Sequence, residues 1–104
     1  MSISISEAAC VGCARCVEAC PGNLIKLGAG KKAFIRHERD CWGCTSCVKA
    51  CPRQAISLVL GADIGGRGAR LTVVTRGSAR IWRVAMPDGS AREIAVDASA
   101  ANKY

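Results

Sequence analysis

Eight cysteines stand in the first half of this 104-residue chain, in two groups of four: Cys10, Cys13, Cys16 and Cys20, then Cys41, Cys44, Cys47 and Cys51. Thiolates are soft ligands, and cysteine at this density in a short chain points to a disulfide framework, a zinc module or an iron–sulfur centre. Each group has the spacing C-x2-C-x2-C-x3-C and is closed by a proline, Pro21 or Pro52. Residues 10–27 and 41–58 align without a gap at an offset of 31, with ten of eighteen positions identical, among them Gly12/Gly43, Val17/Val48, Ala19/Ala50, Ile25/Ile56 and Leu27/Leu58. One unit has been duplicated. Two copies most simply pack about a pseudo-two-fold axis and share a core of the repeated aliphatics.

Spacing and context separate the three chemistries. The start of the chain, Met1 to Glu7, has no basic segment followed by an apolar one, so the chain is expected to stay in a reducing cytoplasm. Disulfide frameworks do not persist there. No run approaches the roughly 18 apolar residues of a membrane span, so no membrane insertion is expected. A zinc site takes four ligands, usually as two separated pairs. Three evenly spaced cysteines plus C-x3-C-P, repeated with none left over, fit zinc poorly and fit two [4Fe–4S] clusters well.

Three cysteines at two-residue intervals wrap a compact loop around one corner of a cubane. The fourth, three residues on, opens a helix and points away from that loop, so it serves the other cluster, the arrangement general to two-cluster ferredoxins. Cluster I is therefore assigned to Cys10, Cys13, Cys16 and Cys51, and cluster II to Cys41, Cys44, Cys47 and Cys20. Pro21 and Pro52 remove an amide donor and fix φ as the chain leaves each cluster. Gly12 and Gly43 let the loop backbone come close and aim amides at sulfur. The exchanged fourth ligands staple the repeats together, which offsets a core that has only four aromatic residues to draw on.

These ligands need elements to hold them. Val17–Ala19 and Val48–Ala50 fall in short helices that carry the fourth cysteines, and Leu24–Leu27 and Ile56–Leu60 read as strands leaving each motif. Between the repeats, a Gly28–Gly30 turn leads into the strand-like Lys31–His37. His37, the lone histidine, reads as an exposed or core-rim side chain, since every ligand position is filled. The expected fold class is α+β, a two-cluster bacterial ferredoxin-like core over residues 1–60 followed by a small three-stranded antiparallel sheet. A glycine-rich connector spans 61–69; it lacks the Lys-Ser/Thr of a phosphate loop and reads as a linker or ordered turn. Strands follow at Arg70–Arg76, Ala79–Met86 and Ala91–Val96, with a hairpin turn at Pro87–Ser90. This 70–96 extension has an apolar face with Trp82, Val84 and Met86, to be covered by the core or by a partner. Residues 97–104 read as a loose tail.

Fifteen basic and eight acidic residues give a formal +7, spread evenly as 8 against 4 in residues 1–60 and 7 against 4 in residues 61–104. Each oxidised four-thiolate cluster is formally about −2, so two of them leave about +3. With no basic block and no aromatic stacking platform, nucleic-acid binding is not expected. No nucleophile–base pair is apparent, so the chain is expected to carry electrons and to catalyse nothing alone. A free-standing ferredoxin serving several oxidoreductases is the alternative, although an acidic surface and no added sheet would then be expected.

The second motif, Cys41-Trp-Gly-Cys-Thr-Ser-Cys-Val-Lys-Ala-Cys-Pro-Arg-Gln-Ala-Ile56, resembles the β subunit of adenylylsulfate (APS) reductase. So do Ala62-Asp-Ile64, Arg76-Gly-Ser78 and Ile81-Trp-Arg-Val-Ala-Met-Pro-Asp-Gly-Ser90, and the likeness covers roughly residues 10–96. The family's insertion within the first cysteine motif is missing from residues 10–20, and its long C-terminal arm has no counterpart in the tail. The resemblance implies two [4Fe–4S] clusters on this chain and an FAD-containing α subunit, related to fumarate reductase, as the partner. There, APS and two electrons are interconverted with sulfite and AMP. It further implies that Trp42 lies towards the flavin as an electron-path residue, and that the cluster of Cys10, Cys13 and Cys16 lies nearer the flavin. Another fumarate reductase-like flavoprotein, or a soluble redox carrier, would also fit the partner role.

Overall fold

A computed structural model of the chain describes residues 2–100. Seven strands and two short helices are built along it: β1 (Ser2–Ile5), α1 (Arg15–Ala19), β2 (Ile25–Leu27), β3 (Ala33–Ile35), α2 (Ser46–Ala50), β4 (Ile56–Leu60), β5 (Ala69–Arg76), β6 (Ala79–Ala85) and β7 (Ala91–Asp97). The duplication is visible in the backbone itself. Each helix is entered through a left-handed residue, Ala14 at φ 63° and Thr45 at φ 65°. Each fourth cysteine closes its helix rather than opening one, and is extended: Cys20 (φ −71°, ψ 113°) and Cys51 (φ −72°, ψ 117°). A residue that precedes proline is driven out of the helical region, so Pro21 and Pro52 cut both helices to five residues.

The strands repeat as well. β1 pairs antiparallel with β4, Ile5 opposite Ile56, and β3 pairs with β2, Ile35 opposite Ile25. Ile25, Ile56 and Val48 are the most deeply buried side chains, each 1% exposed, and together with Ile3, Leu58 and Val73 they form the core between helices and sheet. Ile25 and Ile56 are the same residue of the two repeats, each contributing about 1.5–3 kcal/mol through burial. β1 was not anticipated. Its Ser-Ile-Ser-Ile alternation is a half-buried strand pattern, but four residues give too short a window to stand out.

The three C-terminal strands form antiparallel hairpins with Val73 opposite Trp82 and Trp82 opposite Ile94. They do not stand as a separate three-stranded sheet. β5 adds to the free edge of β4, with Leu58 opposite Leu71 and Leu60 opposite Ala69, so one five-stranded sheet runs β1-β4-β5-β6-β7. An unpaired edge on β4 would leave a row of backbone donors and acceptors unmatched, and β5 matches them. The glycine-rich segment is an ordered turn that makes this return possible. The Gly66 amide bonds to the Gly61 carbonyl at 2.9 Å and the Gly68 amide to that of Leu60 at 2.9 Å. A Cβ on Gly66 would lie 2.1 Å from the Leu60 carbonyl oxygen, so only glycine fits there.

Trp82, Leu71 and Val73 pack on the ferredoxin-like core, whereas Met86 lies past the end of β6 and is exposed. Every residue of β7 is exposed. Of the expected tail, Asp97 completes β7 and Ala98–Ala100 form a single 3-10 turn; residues 101–104 lie outside the described residues. His37 is exposed, as expected. Among the described residues no helix is long and apolar enough to cross a membrane.

Candidate metal centres

Two cavities lie at the two ends of the helix pair. The first is lined by Cys10, Cys13, Cys16 and Cys51, and the second by Cys41, Cys44, Cys47 and Cys20. Three thiols of each cavity come from one repeat and the fourth from the other. Among the described residues, no three such side chains converge closely enough to hold a single metal ion. The thiols stand instead around the walls of a space, with no disulfide between them. An all-thiol donor set, four cysteines to each cavity, fits an iron–sulfur cluster, whose ligands bind separate irons.

The local chain explains how each thiol is held. The Leu24 amide donates to Cys20 Sγ at 3.5 Å and the Ala55 amide to Cys51 Sγ at 3.3 Å, the same contact in both repeats. Amide donors to sulfur stabilise negative charge there. Cys10 receives a further amide from Ala33 at 3.4 Å. That bond, followed by one from the Gly12 amide, holds the Cys10 thiol below its ordinary range. Gly12 therefore does aim its amide at sulfur. Its missing Cβ, however, makes room for the chain: at φ +74°, a Cβ would fall 2.4 Å from the Lys31 carbonyl oxygen.

The remaining shifted thiols divide by exposure. Exposed Cys44 is hydrogen-bonded to the Ser46 hydroxyl at 3.4 Å, and this contact with the Ser46 amide lowers its pKa. Burial acts the other way on Cys16, whose thiol is pushed up, and on Cys47, pushed up to about 12. Such buried thiols give up their protons on metal binding rather than before it. Ser46, Ala33 and Lys32, whose ammonium donates to the Cys10 carbonyl, are site residues that sequence reading missed. The only signal was position: Ser46 adjoins Cys47, and Lys32 and Ala33 gain their role through a fold that carries β3 back beside Cys10.

The two cavities differ in their surroundings. Trp42 lines the second cavity and is 65% exposed, and no charged side chain lines that cavity. Its counterpart at the first cavity is Val11, 56% exposed, and Arg53 forms part of that wall. The two implications drawn from family resemblance thus point to opposite ends, because Trp42 does not adjoin the cavity of Cys10, Cys13 and Cys16.

Comparison with known proteins accords with this geometry. Residues 9–56 match the 4Fe-4S dicluster domain. Curated proteins give no significant match. Among solved structures, a chain of "adenosine 5'-phosphosulfate reductase in complex with substrate" superposes with a TM-score of 0.76 and 29% identity, covering 89% of this chain and 66% of that one. This chain thus spans just under two thirds of the length of its structural relative. The likeness extends well beyond the cysteines: residues 9–56 are a 4Fe-4S electron-transfer domain, in a chain similar over most of its length to adenosine 5'-phosphosulfate reductase.

Proposed function

We propose that this chain is the iron–sulfur subunit of a flavin-dependent oxidoreductase of the APS reductase type, relaying electrons to or from an FAD-containing partner subunit. The reaction on the partner would be APS plus two electrons to sulfite and AMP. When bound, each [4Fe–4S] cluster accepts and gives up one electron at a time. Cys10, Cys13, Cys16 and Cys51 would hold cluster I, and Cys41, Cys44, Cys47 and Cys20 would hold cluster II. The amides of Leu24, Ala33 and Ala55 stabilise charge on sulfur, and the core aliphatics exclude water from one side of each site.

The observation that carries this reading is the pair of four-thiol cavities, each built from both repeats, beside a sheet extended by three strands, in a chain similar over 89% of its length to an APS reductase chain. A free-standing carrier has no need of that sheet. The end that faces the flavin is the one with Trp42, where a large exposed indole stands beside an uncharged wall. Anaerobic purification from the native cell tests the reading. It expects about eight irons per chain and a stoichiometric flavoprotein that reduces APS. Fewer than about six irons would remove the two clusters, and a chain that purifies alone would remove the subunit role.

A further inference from the structure

The duplication is symmetric in its cysteines and asymmetric in its charges. Around Cys51 stand Lys49 and Arg53; the residues in the same places around Cys20, at the offset of 31, are Glu18 and Gly22. Arg15, at the start of α1, corresponds to Ser46 of α2. The substitutions gather cations at one end of the molecule. Beside the first cavity an open cleft of about 520 Å³ runs between the helix pair and β5, and the only charged side chains lining it are Arg15 and Lys49. Its wall includes Cys51, which also lines the first cavity, and Arg53 is exposed on that cavity's rim. A cationic surface therefore lies beside one ligand of cluster I, whereas the wall of the second cavity, with Trp42, carries no charged side chain.

We infer that this cleft docks an acidic one-electron carrier, which exchanges electrons with cluster I. The inference rests on the relay proposed above: a relay needs two docking ends, and only one of them can face the flavoprotein. A carrier that arrives reduced loses one electron and the oxidised cluster gains it. No atom or proton changes hands, and the reverse transfer balances in the same way. Charge complementarity serves this purpose because it steers encounter and raises association rates without making the complex long-lived.

The test uses the purified two-cluster protein, with oxidised flavodoxin, an acidic FMN carrier, as the probe. Binding is measured by calorimetry at low and high ionic strength. R15E and K49E should each weaken binding about tenfold or more, and high salt should weaken the wild-type protein towards the same level. Exposed Arg67, in the glycine-rich turn, supplies the control: R67E makes the same charge change and should leave binding unaltered. Iron content confirms that each variant is loaded, and the milder R15Q and K49Q should lie in between. The inference is overturned if wild-type protein does not bind flavodoxin, if R67E weakens binding as much as K49E, or if R15E and K49E release the flavoprotein instead. Binding of a single-stranded oligonucleotide through the same residues would overturn it too. Failure of the underlying relay would show separately, in the iron count and in flavoprotein co-purification.

Discussion

The amide of Ala55 donates to Cys51 Sγ across 3.3 Å, one turn of chain beyond the cysteine it holds. Its repeat is Leu24 on Cys20 at 3.5 Å. Between each cysteine and its donor stands a proline, then a residue in the left-handed region, Asn23 at φ 55° and Gln54 at φ 53°. The chain thus turns back on the sulfur immediately after handing it to the other repeat's cavity. Each fourth cysteine is held by its own repeat and lines its neighbour's cavity.

That exchange gives the first prediction. Cys20→Ser should damage the cluster of Cys41, Cys44 and Cys47 and spare the other, whereas Cys51→Ser should do the reverse. Electron paramagnetic resonance of the dithionite-reduced variants reads this directly, since each should retain one of the two signals. If Cys20→Ser instead removed the signal that Cys51→Ser was expected to remove, the fourth ligands would not be exchanged.

Much of the site was legible because cluster ligation is written in short-range spacing. Eight cysteines, two prolines and the offset of 31 place the ligands, the helix ends and the repeated strands. What was not legible depends on long-range pairing. Nothing local in Arg70–Arg76 says that it will add to Ile56–Leu60 rather than form a sheet of its own, because the same alternation serves either pairing. Gly66 held the clue, since its close approach to the Leu60 carbonyl forces the return. From sequence, though, it is one glycine among several. Lys32 and Ala33 were silent for the same reason: they reach Cys10 only through the β2–β3 turn, 22 and 23 residues on.

Gly12 separates backbone strain from steric conflict. Gly12 and Gly77 both have positive φ, +74° and +60°, so alanine at either costs about 1–2 kcal/mol of left-handed strain. A Cβ on Gly77 meets nothing within 4 Å, whereas on Gly12 it meets the Lys31 carbonyl at 2.4 Å. Gly77→Ala should therefore keep its iron and melt roughly 4–8 °C lower per kcal/mol lost. Gly12→Ala should also lose cluster I, leaving about four irons per chain. Equal iron in the two variants would show that the loop gives way around the new methyl group.

Lys32 should tune one cluster and leave the other unchanged. Its ammonium donates to the carbonyl of Cys10, and its charge helps to lower the Cys10 pKa. A positive charge close to a cluster favours the reduced form. Lys32→Met keeps most of the stem and removes the charge, so it should lower the cluster I potential by roughly tens of millivolts, about 59 mV being a tenfold change for one electron. A redox titration followed by electron paramagnetic resonance checks this, with the cluster II potential as the internal reference.

The cluster-free chain should show two extremes of thiol reactivity. Cys44 is exposed and its pKa is lowered by Ser46, so it forms thiolate at a lower pH than an ordinary cysteine. Cys47 is buried and pushed up to about 12, so at pH 8 only about one molecule in ten thousand carries the thiolate. Iodoacetamide at that pH should label Cys44 first and Cys47 last, and Ser46→Ala should slow labelling of Cys44. The folded state holds the Cys47 proton more tightly than the unfolded state, so this stabilisation is complete below the ordinary value of 9.0 and is lost as pH rises towards about 12. Uniform labelling of all eight cysteines would mean that the cavities form only with the clusters in place.

Ile94 tests which surface the partner subunit covers. Val73, Trp82 and Ile94 lie opposite one another on β5, β6 and β7, so they share one face of the sheet. Along this row burial runs out: Val73 is 3% exposed, Trp82 packs against the rim of the core, and Ile94 is 56% exposed, with Val96 on the same face 41% exposed. The sheet therefore carries its apolar face past the core that it covers, and the proposed flavoprotein is the partner that would bury the remainder. A buried isoleucine contributes about 1.5–3 kcal/mol. Ile94→Asp should thus weaken the complex by about tenfold to a hundredfold while leaving iron content unchanged. Ala95→Asp, on the opposite face of β7, should leave co-purification intact. If both variants still bring down the flavoprotein in full, the partner docks elsewhere and the three added strands serve the stability of this chain.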